Sequence, residues 1–379
     1  MSIRQHNLGS IVKPGFNPLG VQTSVTTYFP YLYSWGRNQL GQLGIGNTTY
    51  YSSPKQIGAL SDWSKTDSGN AHTVAIKSDG TLWSWGGNST GQLGLGNTTN
   101  YSSPTQVGAL TTWSNISCGR DFVLATKVDG TLWSWGNNGS GQLGLGNTAN
   151  RSTPVQIGAL TDWLYVATCY ASSFSVKTDG TLWSWGNNNH GQLGLSASIY
   201  VRYSSPKQVG ALTTWASVAN VVGTFELATQ TNGTLWSWGR NNFGQLGLGN
   251  ESYKSSPNQV GGLTTWSTVS GGDSFSVATK TDGTLWSWGY NTFGQLGLGN
   301  TNNYSSPKQV GAGWLKITAA YGSVLSIKST GAAWTWGRND HGQLGLGNTT
   351  DYSSPKQIGS QTTWLTVATG PDFSMGTLY

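Results

Sequence analysis

The tetrapeptide Gly-Gln-Leu-Gly begins at Gly41, Gly91, Gly141, Gly191, Gly244, Gly294 and Gly342. The intervals are 50, 50, 50, 53, 50 and 48 residues, so one supersecondary unit is copied seven times. A repeat of this length built from short strands makes a solenoid or a propeller, and it overrides the prior that 379 residues form two or three ordinary domains.

The copy from Trp113 to Pro154 reads as one blade. Trp113–Ser117 and Phe122–Thr126 alternate with period two and predict strands. Asp129-Gly130 is a tight hairpin turn. Thr131–Trp135 is a third strand with Trp133 and Trp135 on one face and Leu132 on the other. A loop carrying Gly141–Gly144 follows, and then a short edge strand at Val155–Ile157, with Pro154 at its start where a missing donor is tolerated. Gly136, Gly141, Gly144 and Gly146 let the loop turn closely against the next blade, with Gln142 expected to pair loop carbonyls.

The chain ends are complementary. The first repeat starts at a third strand, Tyr31–Trp35, and the last stops after two strands, Trp364–Ala368 and Phe373–Thr377. The expected fold is therefore all-β: a seven-bladed β-propeller of four-stranded antiparallel blades, its ring closed where N- and C-terminal strands share one blade. The boundaries are 1–27 for an extended N-terminal arm and 28–379 for the propeller. All twenty tryptophans fall at three repeat positions, leaving none for a special site. At ~150–250 Å² each they bury roughly 3,000–5,000 Å², so no metal, disulfide or cofactor is needed to hold the ring.

The unit Asp-Gly-Thr-Leu-Trp-Ser-Trp-Gly-x-Asn-x-x-Gly-Gln-Leu-Gly-Leu-Gly, with a downstream Ser-Ser-Pro and Trp, resembles the repeat of the regulator of chromosome condensation family, over about Tyr31 to Thr377. That resemblance implies a seven-bladed propeller. The family includes an exchange factor for the small GTPase Ran, a plant ultraviolet photoreceptor and a bacterial inhibitor of β-lactamase, so fold does not carry function. The surplus residues around Ser196–Arg202 and near Val221 are too few for the exchange factor's wedge. Gly69-Asn70-Ala71-His72-Thr73 lacks the Trp and Arg of the photoreceptor motif. The inhibitor, whose variable loops grip another protein, is the nearest functional precedent. The N-terminal segment Ile11, Val12, Lys13, Pro14, Gly15, Phe16, Asn17, Pro18, Leu19 is similar to arms on structural proteins of marine bacteriophages, which implies an anchoring role.

Composition narrows the chemistry. Charged residues are only 9% and the formal net charge is +6. The lysines recur singly, at Lys55, Lys207, Lys308 and Lys356 and at Lys77, Lys127, Lys177, Lys280 and Lys328, and read as solvated rather than as a phosphate track; nucleic acid is not an expected partner. Cys118 and Cys169 lie one position apart in adjacent repeats and read as buried thiols. Met1 to Ser24 has no apolar signal core, and no run reaches the length of a membrane span. The expected location is a virion, or else the cytoplasm.

No catalytic set stands out. His72 fills a position occupied elsewhere by Phe122, Phe174, Phe225, Phe275, Val324 and Phe373, and reads as a packed ring. His190 and His341 lie in non-adjacent blades, so neither metal nor cofactor is expected. Asp79, Asp129, Asp179 and Asp282 are turn residues. The informative residues are those the repeat does not fix, between Trp-Gly and Gly-Gln-Leu-Gly. Arg37, Leu40, Arg240, Phe243, Tyr290, Phe293, Arg338, Asp340 and His341 would cluster on one arc of one face once the ring closes. Arg and aromatics are enriched at binding hot spots. The alternative, that Leu40, Phe243 and Phe293 fold over their own loops, stays open. The expectation is a non-catalytic structural or protein-binding propeller, most simply a phage head-decoration or tail-associated protein bound to other virion proteins. The alternatives are a cytoplasmic regulator of a GTPase or enzyme, and a glycan binder using exposed Tyr51, Tyr101, Tyr304 and Tyr352.

Overall fold

The computed structural model describes residues 30–196 and 199–379. The arm segment Ile11–Leu19 and the proposed boundary at residue 27 lie outside these residues. The described chain forms seven four-stranded antiparallel sheets. In the blade opened by Trp113, the strands are Trp113–Cys118, Phe122–Lys127, Leu132–Gly136 and Arg151–Gln156, from channel to rim. The first strands of successive blades touch around the axis. No helix of the described residues is long and apolar enough to cross a membrane.

The closing blade is built as the chain ends require. Its order is Tyr51–Gln56, Tyr31–Gly36, Phe373–Leu378, Trp364–Thr369. Tyr33 pairs with Gly376 and Trp35 with Ser374, so the chain's last strand lies antiparallel to its first described one. Where other blades join these two strands by a tight turn, here the two chain ends take its place.

The fourth strand differs from expectation. It runs Arg151–Gln156 instead of beginning after Pro154, so the proline sits inside it. The register jumps between Arg151, opposite Gly136, and Val155, opposite Ser134. Such an irregularity at an edge tolerates the missing donor.

Tryptophans weld each blade. The first-strand Trp113 meets Trp133 and Trp135 edge to face, with centroids 6.0 and 5.9 Å away. In the closing blade Trp364 meets Tyr33 and Trp35 at 6.2 and 5.9 Å. All seven tryptophans that precede the loop glycine are fully buried. Each also reaches the neighbouring blade: Trp185 Nε1 donates to the Gln142 carbonyl at 2.9 Å, and Trp35 Nε1 to the Gln343 carbonyl at 2.9 Å, which closes the ring.

The repeated tetrapeptide is thus a latch between blades. A Cβ on Gly141 (φ 78) would lie 2.7 Å from Ser204 Cα, and one on Gly144 (φ 71) 2.8 Å from Trp185 Nε1, both in the next blade. Side chains cannot occupy either position. The glutamine's part also differs from expectation: Gln142 Oε1 accepts from Ser140 N at 2.8 Å. Asn138 pairs the loop carbonyls instead, donating to Asn147 and Ala149 at 2.9 and 3.1 Å while its Oδ1 accepts from Leu143 N.

The inner lysines are not free in solvent but packed on tryptophans, Lys127 and Lys177 buried and the others half-buried. Lys127 lies opposite Trp113 in the ladder, which places its ammonium 5.0 Å from the Trp113 ring and 3.5 Å from that of Trp133. Lys77, Lys177, Lys280 and Lys328 repeat this packing between two indoles.

Candidate functional site

Each first strand hands over to the second by a short loop at one end of the channel, and the long Gly-Gln-Leu-Gly loops lie at the same end. Backbone bonds stitch these short loops together: Asn70 N donates to Arg120 O at 2.9 Å, Arg120 N to Tyr170 O at 3.3 Å, and Asp273 N to Tyr321 O at 3.3 Å. Pro371, at the equivalent place in the closing blade, has no donor to offer.

The channel mouth beneath holds a cavity of about 280 Å³. Its wall carries Asp67, whose Oδ2 accepts from Cys118 N at 2.8 Å and from Asn220 Nδ2 at 3.1 Å. Burial pushes this carboxyl up to about 7, against the hydrogen bonds from Cys118 and Ser68 that favour its charge. Asn220 reaches it because its strand ends early, at Val218. The extra residue here redirects the chain into the axis: Val221 bridges Gly271 in parallel, and its N–H donates to Thr168 O at 3.0 Å. Asn220 Oδ1 then accepts from Ser117 Oγ at 2.8 Å and Thr168 N at 3.3 Å, so side chains of four blades meet. Asn220, Val221 and Val222 thereby line the cavity. Cys118 and Cys169 are free, buried thiols on the walls of this cavity.

A second depression of about 480 Å³ adjoins the mouth, sharing Asn70, Asp273, Tyr321 and Pro371 with it. Arg240, Phe243, Tyr290, Phe293 and Arg338 all line it, so five of the nine residues singled out from the sequence converge. Phe243 packs on Tyr290 with centroids 4.7 Å apart, and Tyr290 on Phe293 at 6.3 Å. The Arg338 guanidinium lies 5.6 Å from the Phe293 ring and 5.5 Å from that of Tyr321. It also pairs with Asp340 at 2.6 Å and Asp372 at 3.3 Å.

Arg37 and His341 join through Asp372: Arg37 Nη1 is 3.0 Å from its carboxylate, His341 Nδ1 3.9 Å. Burial of Asp340 is outweighed by hydrogen bonds from Gln343 and Arg338, which hold its carboxyl below the usual range. Asp340, His341 and Asp372 could offer ligands to a cation, but two guanidinium groups already neutralise those carboxylates. Leu40 does not join the depression; it packs toward Gly87 and Ala71 of the following blade.

The sequence reading missed Asn70, Asp273, Tyr321, Pro371 and Asp372. Their signal was present: the two residues before the second strand vary from copy to copy as much as the long loop does. The tyrosines proposed for glycans are half-buried and engaged within their own blades. Tyr101 accepts from Asn97 Nδ2 at 3.3 Å, Tyr304 and Tyr352 do the same with Asn300 and Asn348, and a lysine packs on Tyr51.

Glu226 is the other displaced acid. It is fully buried, and burial pushes it well above the carboxylate range. It occupies the second-strand position at which Thr73, Ser173, Ser276 and Ser374 donate to the preceding blade's glutamine carbonyl. A neutral carboxyl suits that place, which lies outside both cavities.

The repeat model "Regulator of chromosome condensation (RCC1) repeat" matches residues 31–76, 79–126, 129–176, 179–220, 232–279, 282–324 and 330–376. The chain belongs to the RCC1 repeat family. Each matched unit starts at or just before a third strand and runs into the next blade, six of the seven ending in its second strand and the unit 179–220 after its first, so RCC1 units straddle blades and the ring must close across the chain ends. Among solved structures, human WBSCR16 is 21% identical with a TM-score of 0.83, over 92% of this chain and 98% of that one. Prp20p of Saccharomyces cerevisiae, described with its binding to Gsp1p and histones, is 19% identical with a TM-score of 0.83, over 93% and 92%. A further yeast RCC1 (Prp20) structure, bound to Kap60, is 19% identical with a TM-score of 0.82, over 100% and 96%. These likenesses carry the fold. No curated protein matches the sequence.

Proposed function

We propose that this RCC1-repeat propeller is a non-catalytic protein-binding scaffold, gripping its partner with the arc between Arg240 and Arg338. The observation that carries this is the convergence of Arg240, Phe243, Tyr290, Phe293 and Arg338 on one depression beside the channel mouth. Preassembled aromatics and arginines on rigid blades lose little entropy on docking. Replacing Phe243 and Phe293 together by Ser should leave melting nearly unchanged and weaken partner binding by about 1–3 kcal/mol. Unaltered binding to the partner recovered by the wild-type chain would remove the arc from the interface.

The finer reading is a bacteriophage virion component, a head-decoration or tail-associated propeller. It is supported by the sparsely charged surface and by the similarity of residues 11–19 to phage arms, which would anchor the protein to other virion proteins. Mass spectrometry of purified particles tests it, and absence from particles overturns it. A second reading, a regulator of a GTPase, is favoured by the fold shared with Prp20p, whose structure is described with its binding to Gsp1p. Accelerated nucleotide release from a co-purifying GTPase is its test.

A further inference from the structure

The internal repeats allow one blade junction to be compared with another. Arg37 and Arg240 hold the same loop position, and each donates its backbone N–H to the residue preceding the second strand: Asp372 for Arg37 at 2.9 Å, Thr224 for Arg240 at 3.1 Å. His341 and His190 also correspond, and each ring packs on a tyrosine: His341 on Tyr50 at 5.9 Å and 52°, His190 on Tyr253 at 5.8 Å and 56°. At the first junction the Asp372 carboxylate lies between Arg37 and His341. At the second, Thr224 stands where the aspartate would be.

The polar atoms left at the second junction have no partners. Arg240 Nε, Thr224 Oγ1 and His190 Nδ1 are each buried and make no hydrogen bond among the described residues; His341 Nδ1 at the first junction likewise makes none, but has the Asp340 and Asp372 carboxylates 3.2 and 3.9 Å away. Arg240 forms no ion pair there either, whereas Arg37 and Arg338 are both neutralised by carboxylates. Buried donors without acceptors are costly and uncommon. We propose that His190, Thr224 and Arg240 form a carboxylate-binding site, completed by an acidic side chain of the partner protein where the first junction uses its own Asp372. The arginine supplies charge and directed N–H groups, the threonine hydroxyl a further donor, and the imidazole a third. Arg240 also lines the 480 Å³ depression, so a partner seated on the aromatic arc would bring its acid to this edge. Burial and the Arg240 charge hold His190 below its ordinary range, as expected of an imidazole whose anionic neighbour has not been supplied. Only the assignment of the acid to a protein partner rests on the function proposed above; the site itself does not.

The test follows the His190 ring by NMR in the full-length protein, with acetate, with a capped tripeptide bearing a central glutamate, and with chloride as control. Acetate or the peptide should shift the His190 signals saturably and raise its apparent pKa, while chloride leaves both unchanged. Arg240→Gln should weaken that binding at least tenfold. Thr224→Asp should reproduce the first junction: His190 titrates higher without any added ligand, melting rises, and acetate no longer binds. Peptide binding at least tenfold tighter than acetate assigns the acid to a partner's side chain; equal affinities overturn that assignment and leave a site for free carboxylates. A wild-type His190 indifferent to both probes, or the same shift in Arg240→Gln, overturns the site. Loss of partner binding in the Phe243 and Phe293 variants with acetate binding intact would separate the arc from this site.

Discussion

His72 shows how much a single position can be held by its repeat. Four other blades place Phe122, Phe225, Phe275 or Phe373 there, whereas the strand register puts Ser172 and Ser323 at this position in the remaining two, not Phe174 and Val324 as the sequence suggested; the imidazole fills the phenylalanine slot with neither nitrogen hydrogen-bonded. Burial pushes it down to about 3. With its folded value depressed, the unfolded chain takes up a proton that the native one refuses, so stability is present above about pH 6.5 and lost as pH falls toward 3. His72→Phe should raise stability by about 1–3 kcal/mol at neutral pH, with a larger gain at pH 5. Urea unfolding at both values checks this, and a less stable variant would mean the imidazole has a partner. This slot was legible where the loop before the second strand keeps its apolar start, and misplaced by two residues at Phe174 and by one at Val324, where a serine begins the strand instead. The role of Lys127 was not: its place over Trp113 and Trp133 depends on cross-strand register, which the linear pattern does not display. The variable loop residues were legible as an arc, yet Asp372 was not, because its value lies in a contact with Arg37 across 335 positions of sequence.

At the scale of elements, the first strand of the Trp215 blade is the exception that fixes the axis. One surplus residue near Val221 is visible in the repeat spacing, but its consequence is not, since an insertion can bulge outward or inward. It turns inward because Val221 and Val222 find backbone partners in the flanking blades, at Thr168 O and Gly271 O, 3.0 and 3.1 Å away. Asn220 then bridges Asp67 to Ser117 and Thr168. Asn220→Ala should cost about 2 kcal/mol, because it removes hydrogen bonds to a buried carboxyl and leaves Ser117 without one acceptor. The pH response should change too. Asp67 is raised to about 7 in the fold, so its contribution is present below about pH 4 and lost as pH rises through 7. Losing the Asn220 donor, which favours the charged form, should steepen that loss. Equilibrium unfolding between pH 4 and 8 would show it, and an unchanged variant would mean that Asn220 only fills space.

The whole molecule depends on its ends. RCC1 units and blades are out of phase, so no blade at the junction is encoded by one continuous segment. Trp364–Thr369 and Phe373–Leu378 supply half of the closing blade, and the buried Phe373, Met375 and Leu378 fill its interior against Leu32 and Trp35. Propellers tolerate loss of an exposed loop, but an opened ring presents unpaired strand edges and an apolar blade face. Deleting Trp364–Tyr379 should therefore abolish the single cooperative melting transition and leave aggregating protein, although six blades keep every residue of their own. Nearest-neighbour coupling sharpens this expectation: the latch from Gln343 O to Trp35 Nε1 connects the Trp314 blade to the closing one, and without a second strand behind Trp35 that contact loses its support. Supplying the deleted segment as a separate peptide should restore solubility and the transition, since its pairing with Tyr31–Gly36 is antiparallel and needs no covalent link. Calorimetry and light scattering on the truncated chain, with and without peptide, decide the matter. A truncation that stays soluble and melts like the intact chain would mean that closure of the ring contributes little to its stability.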